Sequence, residues 1–251
     1  MKKETALRKY GISTGPTEDT RFVLLSTARS GTSAIISALR KHPLILGHGE
    51  IFHKDFKRQL NPQFVRAHRL EDIDVQADIF AYRILAYTDG EPVVGFKMWR
   101  GQNLKAYRKI AADEGIKKLV LERKNRLASY SSLKLAQMTN QWGKQGDIEA
   151  PAPILNEFDE DAFTEYAARI DQLFRHYASD CDGEVLFLEH RQIGEDALEK
   201  VLDFLNVEHD ATDIFMRRQN TPKIIERFTV EVQSKVRRTL DKIGHSEWVQ
   251  E

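Results

Sequence analysis

The segment from Phe22 to Ile36 constrains the fold most, because its pattern passes directly from strand to loop to helix. An apolar run of β type, 22–25, is followed by small polar residues that include Gly31, and then by a helical pattern. In that helical pattern, one face carries Ile35, Ala38 and Leu39. Backbone N–H groups and the positive end of the helix dipole point to one place in such a loop, so the segment predicts an anion site, most often for phosphate. The alternative is an ordinary strand-to-helix turn with a Ser or Thr cap.

The loop side chains strengthen the anion interpretation. Ser30, Thr32 and Ser33 add hydroxyl donors, and Arg29 adds a permanent positive charge. The loop is not a Walker A sequence, because it lacks the first glycine and the lysine of that pattern. A Mg-nucleotide kinase or ATPase is therefore disfavoured.

Strands and helices alternate along the whole chain, which predicts an α/β fold with a central, mainly parallel sheet. The predicted strands are 22–25, 44–46, 92–99, 118–123 and 184–190. Helices are predicted from 32 to about 42, and over 74–87, 104–113, 125–141, 159–177, 195–205 and from 230 onwards. Residues 1–20 are polar and contain breakers, so we expect a loose lead-in followed by one domain over 21–251.

Composition limits the compartment and the partners. The 251 residues include 38 basic and 38 acidic ones, and this zero net charge does not favour general nucleic-acid binding. The single cysteine, Cys181, excludes an internal disulfide and fits a reducing compartment. No apolar run has the length of a membrane span, and the start of the sequence lacks the pattern of a signal peptide. We therefore expect a cytoplasmic protein. No Cys or His cluster has zinc spacing, and we expect no metal.

Two charged residues stand at the ends of predicted strands. Glu50 follows the second strand and two glycines, which permit close approach of the backbone, and βαβ spacing predicts that this strand end lies beside the first loop. Lys97 stands near the end of the third strand, where open parallel sheets bind their ligands. The alternatives are a solvated loop carboxylate for Glu50 and an ammonium in water above a packed stem for Lys97.

The fourth strand ends in a second candidate anion site. Arg123 stands at the strand terminus, and Ser131 lies eight residues later, two turns into a helix that Asn125 can cap. A planar bidentate donor and a hydroxyl at this spacing can bind one phosphate. The alternative is that Arg123 pairs with a nearby acid.

Three stretches, in order, resemble the sulfotransferases that use 3′-phosphoadenosine 5′-phosphosulfate (PAPS). They are the loop R-S-G-T-S at 29–33, the pair Gly49-Glu50, and Arg123 with Ser131. The sequence around Glu50 is similar to that of the bacterial nodulation-type and tyrosyl-protein branches. The resemblance to the family as a whole covers about half of the chain. The resemblance implies a P-loop-like three-layer fold.

It also implies roles for these residues. Residues that would wrap the 5′-phosphosulfate are Thr27, Ala28, Arg29, Ser30, Gly31, Thr32 and Ser33. Arg123 and Ser131 would bind the 3′-phosphate, and Glu50 would be the general base, with Arg29 and Lys97 as further catalytic candidates. The R-K-G signature of the cytosolic members is absent, and Arg217-Arg218-Gln219-Asn220 occupies the corresponding region.

The implied reaction is sulfuryl transfer to a hydroxyl group, of a carbohydrate or glycolipid. Acceptor contacts are predicted for His48, His53, Trp99 and Arg100. Two alternatives stay open: a P-loop-type kinase of nucleotides or small molecules, and a nucleotide-binding protein without catalysis. The loop 143–157 is predicted to cover a site, while the sequence does not specify the acceptor or the oligomeric state.

Overall fold

The computed structural model describes residues 19–67, 78–88, 90–140, 142, 153–193, 196–208 and 223–251. Five parallel strands form one sheet in the order β2-β3-β1-β4-β5. The strands are β1 (Thr20–Leu25), β2 (Ile45–Glu50), β3 (Val93–Met98), β4 (Lys117–Glu122) and β5 (Val185–Glu189). The predicted α/β class with a parallel sheet flanked by helices is confirmed.

Helices follow or separate these strands, and most of them lie where the sequence periodicity predicts. The α-helices are α1 (Thr32–Leu39), α2 (Phe56–Gln59), α3 (Pro62–Ala67), α4 (Ile79–Ala86), α5 (Leu104–Ala112), α6 (Arg126–Thr139), α7 (Glu160–Asp180), α8 (Ala197–Phe204) and α9 (Val230–Lys242). Short 3₁₀ helices cover His190–Gln192, Ile224–Arg227 and Ser246–Val249. Asn125 caps α6 as predicted, because its Oδ1 accepts from the N–H of Ala128 at 2.9 Å.

Strand β1 lies at the centre of the sheet because it is apolar on both faces. All four residues from Phe22 to Leu25 are fully buried, as expected for a parallel strand that is covered on both sides. On one face, α1 and α8 pack against β1 and β4 through one apolar cluster. Since all strands are parallel, their carboxyl ends lie along the same edge of the sheet.

Three details differ from the sequence-based expectation. Strand β2 pairs with β3, so β3 separates it from β1, whereas βαβ spacing predicts that the end of β2 lies beside the first loop. Two apolar residues of predicted helices, which helical periodicity would place in the core, are at the surface: Ile79 is 58% exposed and Met138 is 53% exposed. Each lies near the end of a helix, where fewer neighbours are available for packing.

The chain divides into two compact units. The first comprises Met1–Thr27, Gly31–Glu122 and Phe174–Met216, and it holds the whole sheet. The second comprises Ala28–Ser30, Arg123–Leu173 and Arg217–Glu251. The predicted single domain over 21–251 stays a prediction. The lead-in up to residue 18, the loop residues 143–152 and Arg217 to Asn220 lie outside the described residues.

The second unit has an aromatic core of its own. Tyr130 of α6 lies at the centre, with ring centroids 5.3 Å from Phe163 and 6.1 Å from Phe158. Phe158 in turn contacts Phe228, and Phe163 contacts Trp248, both edge to face. Such edge-to-face pairs add to the stability that burial of the rings provides.

Candidate active site

The loop between β1 and α1 is the one in which the sequence predicts an anion site. Arg29 and Gly31 both have positive φ, 66° and 88°, and the loop turns sharply into α1. A Cβ on Gly31 would lie 2.6 Å from Ile193 Cδ1 and 3.0 Å from His190 Cδ2. The positive φ therefore favours glycine at this position, and a larger residue would also require the side chains of Ile193 and His190 to move.

Two features of this loop leave donors available for a ligand. The N-cap residue of α1 is Gly31, which has no side chain to accept from the N–H groups of the first turn. Ser30 is fully buried, and its Oγ has no hydrogen-bond partner among the described residues. Thr32 is buried, whereas Ser33 is exposed and its Oγ accepts from Lys97. Unpaired donors of this kind fit an anionic ligand.

A lysine and a carboxylate meet in the first unit. Lys97 Nζ lies 2.9 Å from Glu50 Oε1 and donates to Ser33 Oγ at 3.2 Å. The side chains of Lys97 and Glu50 are 10% and 25% exposed, so solvent screens this pair only in part. The structure thus brings together three of the residues that the sequence analysis names.

The sheet register explains the pair. Glu50 and Lys97 are register partners on β2 and β3, and the register shifts between His48 and Glu50. Gly49 is the extra residue at this bulge, and a Cβ there would overlap Gln59 Oε1. A bulge re-aims the next side chain, so the glycine places the Glu50 carboxylate opposite Lys97.

Gln102 is a second partner of Glu50 that the sequence did not indicate. Its Nε2 donates to Glu50 Oε2 at 2.6 Å, and its Oε1 accepts from the N–H of Trp99 at 3.1 Å. The N–H of Gln102 also donates to the Trp99 carbonyl, which closes a turn directly after β3. Both oxygens of Glu50 are therefore engaged.

Tyr177 fixes the backbone at two strand ends. Its buried hydroxyl donates to the Ser26 carbonyl at 2.7 Å and accepts from the N–H of Arg100 at 3.1 Å. Ser26 and Arg100 follow β1 and β3, so one side chain links the loops after these two strands. Burial raises the pKa of Tyr177, which keeps the hydroxyl protonated and able to donate.

The four predicted acceptor contacts differ in their surroundings. His48 is fully buried, and burial with the nearby Arg40 lowers its pKa to about 3. This is a correction, because a neutral, enclosed imidazole that accepts from the N–H of Asn61 belongs to the packing of β2 and has no surface for an acceptor. Trp99 is 40% exposed and has such a surface.

The other two predicted acceptor residues have local partners. His53 is half-buried, and its Nδ1 accepts from the N–H of Asp55 at 3.0 Å. The guanidinium of Arg100 lies over the Tyr107 ring, 5.6 Å from its centroid, with its Nε 3.7 Å from Asp180. Their predicted contacts with an acceptor stay predictions.

Arg123 in the second unit pairs with an acid. Its Nε and Nη2 donate to the two carboxylate oxygens of Glu251, at 2.6 and 2.5 Å, and its Nη1 donates to the Arg29 carbonyl at 3.2 Å. Arg126 holds the Arg123 backbone, because its Nη1 donates to the Arg123 carbonyl and its Nε to Asp171. The sequence analysis gave pairing with an acid as the alternative to phosphate binding by Arg123, and this pairing is present in the structure.

Further guanidinium groups surround Ser131 and Ser132. Arg227 Nη1 donates to Ser131 Oγ at 3.0 Å, and Arg29 Nε donates to Ser132 Oγ at 2.8 Å. Burial, with Arg123 nearby, lowers the pKa of Arg227 to about 10, and the same two causes lower the pKa of Arg29. Positive charges that disfavour one another in this way favour a bound anion.

Arg227, Ser132 and Glu251 are functional candidates that the sequence analysis missed. Arg227 and Ser131 are 96 residues apart, and Glu251 is 128 residues from Arg123, so no local spacing relates them. The only feature of the sequence that pointed to these residues was the basic character of the last part of the chain. Together with Arg29, Arg123 and Ser131 they form what we call the arginine cluster.

In the part of the chain that the structure describes, no group of three or more His, Cys, Asp or Glu side chains is arranged to hold a metal ion. Among the same residues, no helix combines the length and the apolar character that crossing a membrane requires.

Comparisons with known proteins give structural matches only. No protein-family model matches the sequence, and no curated protein matches it. A sulfotransferase from Alicyclobacillus acidocaldarius is similar in structure, with a TM-score of 0.50 and 16% identity over 91% of this chain and 98% of that chain. Mouse sulfotransferase SULT7A1, solved in complex with PAP, has a TM-score of 0.49 and 11% identity over 99% of this chain and 92% of its own. The chain therefore has the α/β fold of the bacterial sulfotransferase.

Proposed function

We propose that this protein is a sulfotransferase that moves the sulfuryl group of PAPS to the hydroxyl group of an acceptor. The observation that carries the proposal is the Glu50–Lys97–Ser33 arrangement at the carboxyl ends of β2 and β3 and the start of α1. It combines a carboxylate that can accept a proton with an ammonium that contacts the predicted anion loop.

In this reaction a bond forms between the acceptor oxygen and sulfur, while the bond from sulfur to the 5′-phosphate oxygen breaks. The acceptor proton passes to Glu50, and negative charge develops on the departing phosphate oxygen. Lys97 supplies positive charge to that oxygen, and the loop N–H groups supply donors. Transfer of this type passes through a loose transition state, as phosphoryl transfer does, so positioning and charge contribute most of the acceleration.

The arginine cluster is the proposed site of the 3′-phosphate. Arg123 and Ser131 are the two residues that the family resemblance assigns to this phosphate. Arg227 already donates to Ser131 Oγ, and burial, with Arg123 nearby, lowers its pKa to about 10. We propose Arg227 as a third contact, which would take the place of the missing R-K-G signature.

The proposed acceptor is a hydroxyl-bearing carbohydrate or glycolipid. Trp99 supports this class, because its indole is 40% exposed and lies next to Gly101, which has no side chain to cover the ring. A sugar ring stacks on such a face, and Trp99 is linked to Glu50 through Gln102. The oxygen that accepts the sulfuryl group would then lie near the proposed base.

Nucleotide specificity tests the class of enzyme. We expect 3′-phosphoadenosine 5′-phosphate (PAP) to raise the melting temperature more than ADP does, since only PAP carries the 3′-phosphate. A ligand at one hundred times its Kd adds about 2.7 kcal/mol to stability. Equal stabilisation by ADP would remove Arg123 and Ser131 from their proposed role, and stabilisation by ADP only with Mg²⁺ would favour a kinase.

Glu50→Gln tests the mechanism. With labelled PAPS and a panel of glycans and phenols, we expect this variant to bind PAP as the wild type does and to lose about 100-fold or more in kcat. The matched control is Glu184→Gln, a carboxylate that is largely exposed and pairs with Lys117. Unchanged kcat in Glu50→Gln would exclude Glu50 as the base, and PAP binding without transfer to any acceptor would indicate a binding protein.

A further inference from the structure

The Gln102 amide has only one possible orientation in this structure. Its Oε1 must face the N–H of Trp99, since a backbone N–H can only donate, and its Nε2 must then face Glu50. The distance of 2.6 Å from Nε2 to Glu50 Oε2 is that of a hydrogen bond to a charged acceptor. The carboxylate is therefore held at both oxygens, by Lys97 at one and by Gln102 at the other.

We propose that Gln102 is a positioning residue that holds the Glu50 carboxylate aimed for proton abstraction. The inference rests on the proposed sulfotransferase function and extends it to a residue outside the family motifs. Gln102 Nε2 can only donate, so its hydrogen bond holds one carboxylate oxygen of Glu50 in place. It plays the part of the third group that orients a base in a catalytic triad.

The backbone around Gln102 is suited to this task. The turn from Trp99 to Gln102 is closed by its own backbone hydrogen bond, and Arg100 within it is fixed by the buried Tyr177 hydroxyl. The amide is thus carried by a rigid segment directly after β3, the strand that also carries Lys97. Small errors in the position of a base reduce the rate strongly, so a rigid support has a direct effect on kcat.

Two variants separate positioning from packing. Gln102→Glu keeps the size and the acceptor for the Trp99 N–H, but it replaces the donor that faces Glu50 by a second carboxylate oxygen. Gln102→Met keeps the length and removes both hydrogen bonds. The control is Gln233→Met, which removes one bond from an amide to the Phe228 carbonyl in the second unit.

The kinetic readout is the split between kcat and the KM for PAPS. We expect Gln102→Glu to lose tenfold or more in kcat, and Gln102→Met somewhat less, with the KM for PAPS within about twofold of the wild type. In the Glu50→Gln background, Gln102→Met should cause no further loss, because no carboxylate remains to be positioned. Gln233→Met should retain the wild-type kcat.

A spectroscopic readout does not depend on an acceptor. The side-chain amide protons of Gln102 should resonate downfield in the wild type and move upfield in Glu50→Leu. Wild-type kcat in Gln102→Glu, or no shift of this resonance, would overturn the positioning role while the proposed function stands. A wild-type protein that transfers no sulfate from PAPS to any acceptor would overturn the proposed function itself, and the role of Gln102 in the reaction with it.

Discussion

Replacing Glu251 by glutamine should increase the affinity for PAP and reduce the stability of the free protein. The Glu251 carboxylate accepts two parallel hydrogen bonds from Arg123, and the two side chains are only 15% and 7% exposed. Under the proposed function, the same guanidinium edge would bind the 3′-phosphate. Glu251 and the nucleotide therefore compete for Arg123.

The structure gives the size of both effects. A hydrogen bond to a charged group contributes about 1.5–3 kcal/mol and a neutral one about 0.5–1.5 kcal/mol. Glutamine keeps one acceptor oxygen without the charge, so Glu251→Gln should destabilise the free protein by about 1–2 kcal/mol. The nucleotide no longer has to displace this interaction, and a gain of about 1.4 kcal/mol in binding corresponds to a tenfold lower Kd.

Calorimetric titration with PAP and ADP, together with thermal unfolding without ligand, measures both quantities. The matched control is Glu247→Gln, which removes the same charge from an exposed side chain that pairs with His245. PAP affinity that is unchanged or weaker in Glu251→Gln would refute competition at Arg123. A gain for ADP as large as the gain for PAP would show that the 3′-phosphate is not the competing group.

Two further predictions concern stability. Tyr177→Phe should lower the free energy of unfolding by about 2–4 kcal/mol, because it leaves two buried backbone groups unpaired. Tyr107→Phe, which loses a bond to the partly exposed Asp180, should cost less than about 1 kcal/mol, and equal losses in urea unfolding would contradict this account. The pKa of His48 is about 3 in the folded protein, against an ordinary value of 6.5 in the unfolded chain. Between these two pH values only the unfolded chain binds a proton at this residue. Stability should therefore fall as the pH decreases from about 6.5 towards 3, and His48→Gln should flatten this part of the profile; an identical slope in wild type and variant would exclude His48 as the cause.

The parts of the fold that the sequence predicts are those set by local chemistry. The boundaries of β1 and α1 follow from an apolar run that is interrupted by a glycine with positive φ, and the Asn125 cap follows from its own side chain. The order of the strands was predicted less well, because β2 pairs with β3 and this choice depends on packing across the whole sheet.

The same distinction applies to the candidate site. Glu50 and Lys97 come from separate strands, and their contact depends on a bulge at Gly49 that a single sequence does not specify. The sequence suggested both residues only because each stands at a strand end. The sequence did not indicate Gln102, because a glutamine in a polar turn is common. Its proposed role depends on the Glu50 carboxylate that it faces in the fold.

The arginine cluster shows why chemistry at a distance in sequence matters for the proposed function. Arg123 and Ser131 are related by the geometry of one strand end and one helix, so their spacing alone suggested a phosphate site. Arg227 and Glu251 reach the same place from far along the chain, one adding positive charge and the other removing it. Under the proposed function, the affinity for the 3′-phosphate would depend on the balance of the two. A sequence motif can thus suggest an anion site, whereas the affinity of such a site depends on residues that only the fold brings there.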